Sequence, residues 1–328
     1  MLKARFDKRA DAKSRFSVLF LIVAAGLVGH TLWSQNLQQL SGRLPLRQVP
    51  SLQGIFFDNS RIILTGERGF LFESEELGET WTKIQVPSSV LMTGIFRDQA
   101  DQLFIYGHES KILKSTDSGQ NWRIVHEQMG EDLPLFHFLR LDSERLLALG
   151  AYGQLLLSQD EGESWTTLDL GLQEEGHWYD ALVLEDELVG VGEFGSGFVW
   201  KLNGENLFEF QIRDYSGSLF SVLEWDGMLV ATGLQGSLFS SMDGGRTWED
   251  RSLEDSRSIY GAKVLGPDDL LLFGANGFLR RVTRDFVSSA ILDLSSRQNI
   301  SSVLALDEGS FLLLGDRVSK IEISKESR

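Results

Sequence analysis

The stretch Ala148–Trp165, ALGAYGQLLLSQDEGESW, contains two turns that bound one short apolar run. The first turn is Gly150–Gly153, where glycine permits a tight reversal of the chain. The second turn is Ser158–Trp165, which is rich in polar turn residues and ends at a tryptophan. Short apolar runs between such turns are typical of β-strands, so the stretch predicts a strand, a turn, a second strand and a second turn.

The first glycine of this stretch recurs at a nearly fixed spacing along the chain. The intervals are 41, 43, 42, 41, 41 and 41 residues, and the seven positions are Gly66, Gly107, Gly150, Gly192, Gly233, Gly274 and Gly315. A second glycine follows three residues later in five units, and Ser110 and Val318 stand in its place in the other two. A regular period of this length indicates a repeat architecture, in which each unit packs against its neighbours.

Each unit reads as four short strands. In the first unit they are predicted at Gln53–Phe57, Arg61–Thr65, Phe70–Glu73 and Thr80–Val86. Four strands per unit of about this length are typical of a propeller blade, and radial repetition leaves only short sheet edges. The sequence therefore predicts an all-β fold, a seven-bladed β-propeller with four-stranded blades, over residues 44–328.

The last unit has three predicted strands, at Asn299–Leu306, Ser310–Leu314 and Lys320–Ser324. The segment Leu44–Pro50, LPLRQVP, resembles the fourth strand of the first unit, WTKIQVP at Trp81–Pro87. We predict that residues 44–49 complete the seventh blade and so close the ring.

The segment Phe16–Trp33, FSVLFLIVAAGLVGHTLW, contains no Lys, Arg, Asp or Glu. As a helix it would span roughly 27 Å, close to the thickness of a bilayer core. Basic residues precede it, which predicts a cytoplasmic N-terminus. The expected organisation is a basic cytoplasmic tail at 1–15, a transmembrane signal anchor at 16–33, a linker at 34–43 and a periplasmic propeller, attached to the inner membrane by a single pass. A cleaved signal peptide, which leaves a soluble periplasmic protein, is the alternative.

Composition excludes several classes of function. The chain has 47 acidic and 31 basic residues and a net charge of −16. Residues 1–33 carry six basic and two acidic residues, so the remainder is net −20, and a body this acidic is repelled by nucleic-acid phosphates. The absence of cysteine excludes disulfides, thiolate metal sites and a cysteine nucleophile. The five histidines show no zinc spacing, and the G-x-x-G turns lead into strands and not helices, so we predict no metal or cofactor.

A second motif marks the turn between the third and fourth strands. It reads SEELGETW at Ser74–Trp81, STDSGQNW at Ser115–Trp122, SQDEGESW at Ser158–Trp165 and SMDGGRTW at Ser241–Trp248. Serine and aspartate side chains bond turn amides, and the tryptophan fills a slot between neighbouring sheets. We therefore assign structural roles to Ser74, Trp81, Ser115, Asp117, Gly119, Trp122, Ser158, Asp160, Gly162, Trp165, Ser241, Asp243, Gly245 and Trp248.

The repeat and its S-x-D-x-G-x-x-W boxes resemble the BNR/Asp-box propellers. Seven units with the G-x-x-G turn resemble, over about residues 44–328, the photosystem II assembly/stability factor family and its non-photosynthetic bacterial branch. The resemblance implies a non-enzymatic factor that docks on membrane protein complexes. Photosynthetic members handle a reaction-centre subunit and present a basic patch, whereas other bacterial members are often found beside transporters of the resistance–nodulation–division type, which export hydrophobic molecules. Because this body is net −20, an accessory subunit of such a transporter is the favoured expectation, and an assembly factor for another membrane protein client is the alternative.

Sialidases share the Asp box, so a glycan-acting hydrolase is a further alternative. Sialidase chemistry needs three converging arginines. Here Arg68 and Arg317 belong to turns, Arg97 and Arg140 follow inner strands, and no spacing assembles a triad. We therefore predict no enzymatic activity and assign no catalytic residue.

A partner is expected on the face that carries the second-to-third and fourth-to-first connections, which surrounds the channel mouth. Aromatic side chains with polar tips are enriched at interfaces. The alternative, that some of these aromatic residues cap the blade cores, stays open. The predicted partner-binding residues are Arg68, His108, Glu109, Tyr152, His177, Trp178, Tyr179, Glu193, Phe194, Tyr215, Asn276 and Arg317.

Overall fold

The computed structural model describes residues 44–45, 53–56, 60–172, 176–204, 206–307 and 309–323. Within these residues the chain forms seven successive antiparallel sheets, which we number as blades one to seven. In blades two to seven, strand order within the sheet follows the sequence. The fold is therefore the predicted seven-bladed β-propeller, with four-stranded blades from two to six.

The strands of the first three blades are short and alternate with turns. Blade one contains β1 (Leu44–Pro45), β2 (Gln53–Phe56), β3 (Ile62–Thr65), β4 (Leu71–Ser74) and β5 (Thr80–Ile84). Blade two contains β6 (Met92–Arg97), β7 (Leu103–Gly107), β8 (Ile112–Ser115) and β9 (Arg123–His126). Blade three contains β10 (Leu135–Arg140), β11 (Leu146–Gly150), β12 (Leu155–Ser158) and β13 (Thr166–Thr167).

The remaining blades repeat this pattern. Blade four contains β14 (Trp178–Leu184), β15 (Glu187–Gly192), β16 (Ser196–Lys201) and β17 (Leu207–Gln211). Blade five contains β18 (Leu219–Trp225), β19 (Met228–Gly233), β20 (Leu238–Ser241) and β21 (Glu249–Asp250). Blade six contains β22 (Ile259–Gly266), β23 (Asp269–Gly274), β24 (Leu279–Thr283) and β25 (Ser288–Ile291), and blade seven contains β26 (Ile300–Ala305), β27 (Ser310–Gly315) and β28 (Ser319–Glu322).

The recurrent glycine at the end of each second strand is required by a close backbone approach. A Cβ on Gly150 would lie 2.3 Å from the carbonyl oxygen of Pro134, and one on Gly192 would lie 2.2 Å from that of His177. The same approach occurs at four further second-strand glycines, Gly107, Gly233, Gly274 and Gly315. A short 3₁₀ turn follows the glycine in six blades, at Glu67–Gly69, His108–Ser110, Ala151–Gly153, Glu193–Gly195, Leu234–Gly236 and Ala275–Gly277.

The Asp boxes hold the turn between the third and fourth strands. In blade two the Ser115 hydroxyl accepts a hydrogen bond from the amide of Gly119 at 2.9 Å and donates one to Asp117 at 2.9 Å. The Asp117 carboxylate accepts bonds from the backbone and side chain of Asn121, and these bonds lower the pKa of Asp117 to about 2. Ser158 and Asp160 make the same contacts in blade three, as do Ser241 and Asp243 in blade five. These side chains therefore stabilise turns.

Apolar cores lie between adjacent blades, and polar clamps join the blades at the turns between third and fourth strands. The Lys114 ammonium of blade two, almost fully buried, donates to the Glu161 carbonyl of blade three at 2.7 Å and pairs with Glu163 at 2.8 Å. In the same way Arg61 of blade one donates to the Ser118 carbonyl of blade two at 2.7 Å. Each clamp satisfies a turn carbonyl of the next blade, so neighbouring blades stabilise one another.

The N-terminal edge of the propeller differs from the prediction. Leu44 and Pro45 pair with Trp81 and Thr80 as an outer strand of blade one, so the prediction that they close blade seven is wrong for these two residues. Residues 46–49 lie outside the described residues.

Among the described residues blade seven has three strands, and a cleft of about 540 Å³ lies beside β28, with Leu294 and Arg317 in its wall. The first and last blades meet through side chains instead. A Cβ on Gly78 of blade one would lie 3.4 Å from Cδ1 of Leu312 in blade seven, and β2 packs against β26. The described ring is therefore closed by packing.

The predicted cytoplasmic tail (1–15), signal anchor (16–33) and linker (34–43) lie outside the described residues. In the part of the chain that the structure describes, no helix is long and apolar enough to cross a membrane.

Candidate partner-binding surface at the channel mouth

A β-bulge occurs at the same place in the inner strands of blades two to seven. In β10, Leu135 pairs with Gly150 and His137 pairs with Leu149, so Phe136 is an extra residue without a partner in the ladder. A bulge bends its strand and re-aims the side chain of the extra residue. The six bulged residues are Thr93, Phe136, Tyr179, Phe220, Tyr260 and Ser301.

The bulged residues of blades three to six form a continuous row of rings, which we call the aromatic wall (Phe136, Tyr179, Phe220 and Tyr260). The ring centroids of Phe136 and Tyr179 are 5.2 Å apart, those of Tyr179 and Phe220 are 5.5 Å apart, and those of Phe220 and Tyr260 are 5.7 Å apart. All four side chains are half-buried. The tilted and edge-on contacts are those that aromatic quadrupoles favour.

The bulged residues of blades two and seven are small and polar. The Thr93 hydroxyl lies 2.5 Å from the carbonyl of Leu135 in blade three and 3.2 Å from that of Tyr106, and Ser301 donates to the carbonyl of Leu314 at 3.2 Å. These short side chains bond to backbone carbonyls, so the bulge position is polar in blades two and seven and aromatic in blades three to six.

Two exposed aromatic residues stand beside the wall, at equivalent positions of the 3₁₀ turns in blades three and four. Tyr152 has a φ of 54° and is 55% exposed, and Phe194 has a φ of 59° and is 46% exposed. A left-handed conformation costs a non-glycine residue roughly 1–2 kcal/mol. The equivalent residue of the other four turns has the same positive φ, so this conformation belongs to the repeat. The exposure of a large ring at two neighbouring turns is the feature that is typical of a binding surface.

His177 and Glu193 join these turns to the wall. The amide of Tyr152 donates to Nδ1 of His177 at 3.1 Å, and the two rings meet edge-on at 4.9 Å. Glu193 accepts bonds from the His177 amide at 3.1 Å and from the Tyr179 hydroxyl at 3.4 Å. Burial lowers the pKa of His177, whereas burial and the charge of Glu193 raise the pKa of Tyr179.

The structure therefore brings together five of the predicted partner-binding residues: Tyr152, His177, Tyr179, Glu193 and Phe194. Trp178 does not join them. It is 2% exposed and packs edge-on against Phe198 at 4.9 Å, in the core between blades three and four. The prediction that Trp178 contacts a partner is wrong, because Trp178 precedes the bulge and faces the core while Tyr179 faces the channel.

The other predicted residues are bound locally on the same face. The Tyr215 ring packs on Phe239 at 4.9 Å, and its hydroxyl donates to the Ser218 carbonyl at 2.9 Å. His108 pairs with Asp132 at 2.8 Å and Glu109 with Lys111 at 3.2 Å, the Asn276 amide donates to Asn299 at 3.0 Å, and Arg317 donates to Gln298 at 2.5 Å. Arg68 occupies the left-handed position of the blade-one turn, with a φ of 54°.

Sequence reasoning missed three of the four wall residues, Phe136, Phe220 and Tyr260. A signal was present, because each lies 13 or 14 residues before the recurrent glycine of its blade, as Tyr179 does. Aligning the units on that glycine would have shown the four aromatic residues in two adjacent columns.

The described residues give little support for catalysis or metal binding. Arg97 bonds Asp101 at 2.9 Å, while Arg140 bonds Asp98 at 3.0 Å, so these two arginines of the hydrolase alternative are engaged with separate carboxylates. No group of three or more His, Asp or Glu side chains within the described ranges could hold a metal ion.

Seven successive antiparallel sheets with Asp-box turns define an Asp-box β-propeller. Residues 73–191 match the family model described as photosynthesis system II assembly factor YCF48. Over these residues the chain is similar to the family that the sequence resemblance indicated.

Solved structures are similar over most of the chain. A structure titled YCF48 bound to D1 peptide has a TM-score of 0.68 at 18% identity and covers 88% of this chain and 96% of that chain. YCF48 from Cyanidioschyzon merolae has a TM-score of 0.67 at 12% identity and covers 88% and 100%. At these identities the likeness establishes the fold. No curated protein matches the chain with significance.

Proposed function

We propose that this chain is a non-enzymatic binding or assembly factor for a membrane protein, and that it captures its client at the channel mouth. The observation that carries the proposal is the pair Tyr152 and Phe194, two exposed aromatic side chains held at strained φ angles beside the aromatic wall. Exposed aromatic anchors next to a rigid apolar surface are the usual centre of a protein interface.

The comparisons support the class of this function. The matching family model is named for an assembly factor, and one similar structure contains a peptide of D1. A client peptide on a YCF48 propeller is a precedent for peptide capture by this fold. For the present chain the client is part of the proposal.

We further propose an accessory role beside an inner-membrane complex, with a resistance–nodulation–division transporter as the favoured partner. The acidic body and the apolar segment 16–33 support this placement. In this arrangement residues 1–15 are cytoplasmic and the propeller is periplasmic. Reporters fused after Arg328 test the topology. We expect a reporter that works only in the periplasm to be active. Activity of a reporter that works only in the cytoplasm would contradict the placement.

The capture surface is tested by affinity purification of the tagged full-length chain from crosslinked membranes, with mass spectrometry of what is recovered. With the wild type we expect to recover a polytopic membrane protein. With the double variant Tyr152→Gly plus Phe194→Gly we expect its recovery to fall at least about tenfold, which corresponds to a loss of about 1.4 kcal/mol in binding free energy. Glycine suits the positive φ at both sites, so the variant should remain folded.

The matched control is Gln235→Gly, which changes the same turn position in blade five, where φ is 57° and the side chain is exposed. Capture by this control should equal that of the wild type. Unchanged capture by the Tyr152 and Phe194 variant would overturn the proposed surface.

A further inference from the structure

Three partly buried carboxylates surround the tyrosines of the channel. Glu193 is bonded to Tyr179, and Asp180, the next residue along β14, is bonded to the amide of Val222 at 2.9 Å and to His137 at 2.8 Å. In blade seven Asp316 accepts the amide of Asn299 at 2.9 Å. The backbone and side-chain bonds hold these carboxylates in fixed places around the aromatic wall.

The charges of these carboxylates affect the pKa values of three tyrosines. Burial is the main reason that the pKa values of Tyr106, Tyr179 and Tyr260 are raised, and the charges of Asp180, Glu193 and Asp316, respectively, add to it. Tyr179 and Tyr260 belong to the aromatic wall, whereas Tyr106 is buried in the core between blades two and three.

The rim of the same face is also acidic. The fourth-to-first connections between blades two and six expose five carboxylates, Glu131, Asp132, Asp169, Asp214 and Glu254. Three arginines of these connections are paired: Arg213 with Asp214, Arg251 with Glu249, and Arg257 with Asp255 and Asp293. An acidic rim steers positively charged partners towards the mouth.

Aromatic faces and carboxylates favour the same kind of ligand. The face of a ring carries the negative lobe of its quadrupole and attracts a guanidinium or ammonium group, most strongly where the cation is desolvated. At the same bulge position blades two and seven carry the small residues Thr93 and Ser301. An arginine is suited to such a place because its plane stacks on rings while its edge bonds carboxylates.

We propose that the aromatic wall and its carboxylates bind a basic side chain, preferentially arginine, presented by an apolar segment of the client. This inference rests on the proposed function, because it names the chemistry of the client at the same surface. On this proposal the surface selects its client by charge as well as by apolar contact.

The test uses three capped peptides that share the pattern Leu-X-Leu-X-Leu and differ only at X, which is arginine, its neutral isostere citrulline, or glutamate. Binding to the full-length chain is measured by titration calorimetry. We expect the arginine peptide to bind at least about tenfold more tightly than the citrulline peptide, and the glutamate peptide to bind most weakly. The preference should shrink as ionic strength rises, because salt screens exposed charge.

Variants then locate the site. Phe220→Leu and Tyr260→Leu keep apolar bulk and remove the ring face, so they should weaken the arginine peptide about threefold or more and leave the citrulline peptide unchanged. Phe208→Leu is the matched control, since Phe208 is a 44% exposed ring on the outer strand β17 of blade four. Loss of affinity in the control to the same extent would place the cation elsewhere and overturn the proposal.

Equal binding of the arginine and citrulline peptides, or no binding of either, would also overturn the inference. The proposed function is judged separately, by membrane capture with the Tyr152 and Phe194 variant. If capture depends on those two rings but the arginine and citrulline peptides bind equally, the basic ligand is rejected and the proposed function stands.

Discussion

The backbone amide of Tyr152 donates a hydrogen bond to Nδ1 of His177 across 3.1 Å. A protonated Nδ1 cannot accept this bond, so the contact requires the neutral imidazole. The bond ties the exposed turn of blade three to the start of β14 in blade four, and therefore couples the geometry of the candidate surface to one titratable group.

This contact predicts a pH dependence. Burial lowers the pKa of His177 below its ordinary value of 6.5. Because the folded state favours the neutral form, the stabilisation is present above the unfolded pKa and is lost as the pH falls through it towards the folded value. We expect the free energy of unfolding to decrease between about pH 7.5 and about pH 5. His177→Asn keeps an acceptor without titrating, so denaturant unfolding should show a smaller decrease for this variant; equal slopes would contradict the assignment.

The two glycines of one turn should differ in their tolerance of alanine. Gly150→Ala drives a Cβ to 2.3 Å from a backbone carbonyl and should lower stability by about 3 kcal/mol, as in overpacked cores. Gly153→Ala meets nothing within 4 Å and carries only the cost of a φ of 70°, about 1 kcal/mol. Thermal and denaturant unfolding of both variants checks the order, and a larger loss for Gly153→Ala would show that the turn relaxes differently.

Trp178 and Phe194 should separate stability from binding. Trp178→Ala removes a buried ring from the core and should cost about 3–5 kcal/mol. Phe194→Ala removes an exposed ring and should change stability by about 0.5 kcal/mol or less while it weakens client capture. Denaturant unfolding and membrane capture are measured on both proteins, and normal stability of Trp178→Ala would refute the core assignment.

The Asp boxes predict acid sensitivity at low pH. Hydrogen bonds from the side chain and backbone of Ser164 are the main cause of the pKa of Asp160 being lowered from 3.8 to about 2. Their stabilisation is therefore present above pH 3.8 and is lost as the pH falls through about 2. Asp160→Ala should have a lower melting temperature than the wild type at neutral pH, and the difference should narrow in acid. Asp214→Ala, which changes a 92% exposed carboxylate, is the control and should melt like the wild type.

The fold was predictable from the sequence because its main steric constraint determines which residue can stand at the end of the second strand of a blade. A backbone carbonyl that approaches the recurrent glycine in six of the seven blades leaves no space for a side chain, so the glycine marks these blades in the sequence. The assignment of Trp178 failed for a reason that strand periodicity does not contain. A bulge of one residue decides whether Trp178 or Tyr179 faces the core. The placement of Leu44 and Pro45 failed because the likeness of residues 44–50 to the fourth strand of blade one does not say which sheet they join, and these two residues pair with that strand itself.

The bulged residue of each inner strand takes no part in the ladder and little in the apolar cores between blades. In blades three to six its ring instead contacts the bulged ring of the neighbouring blade, at 5.2, 5.5 and 5.7 Å between centroids. The residue chosen at this position in one blade therefore constrains the choice in the next. A propeller of this design would change its client by coordinated substitutions in adjacent blades.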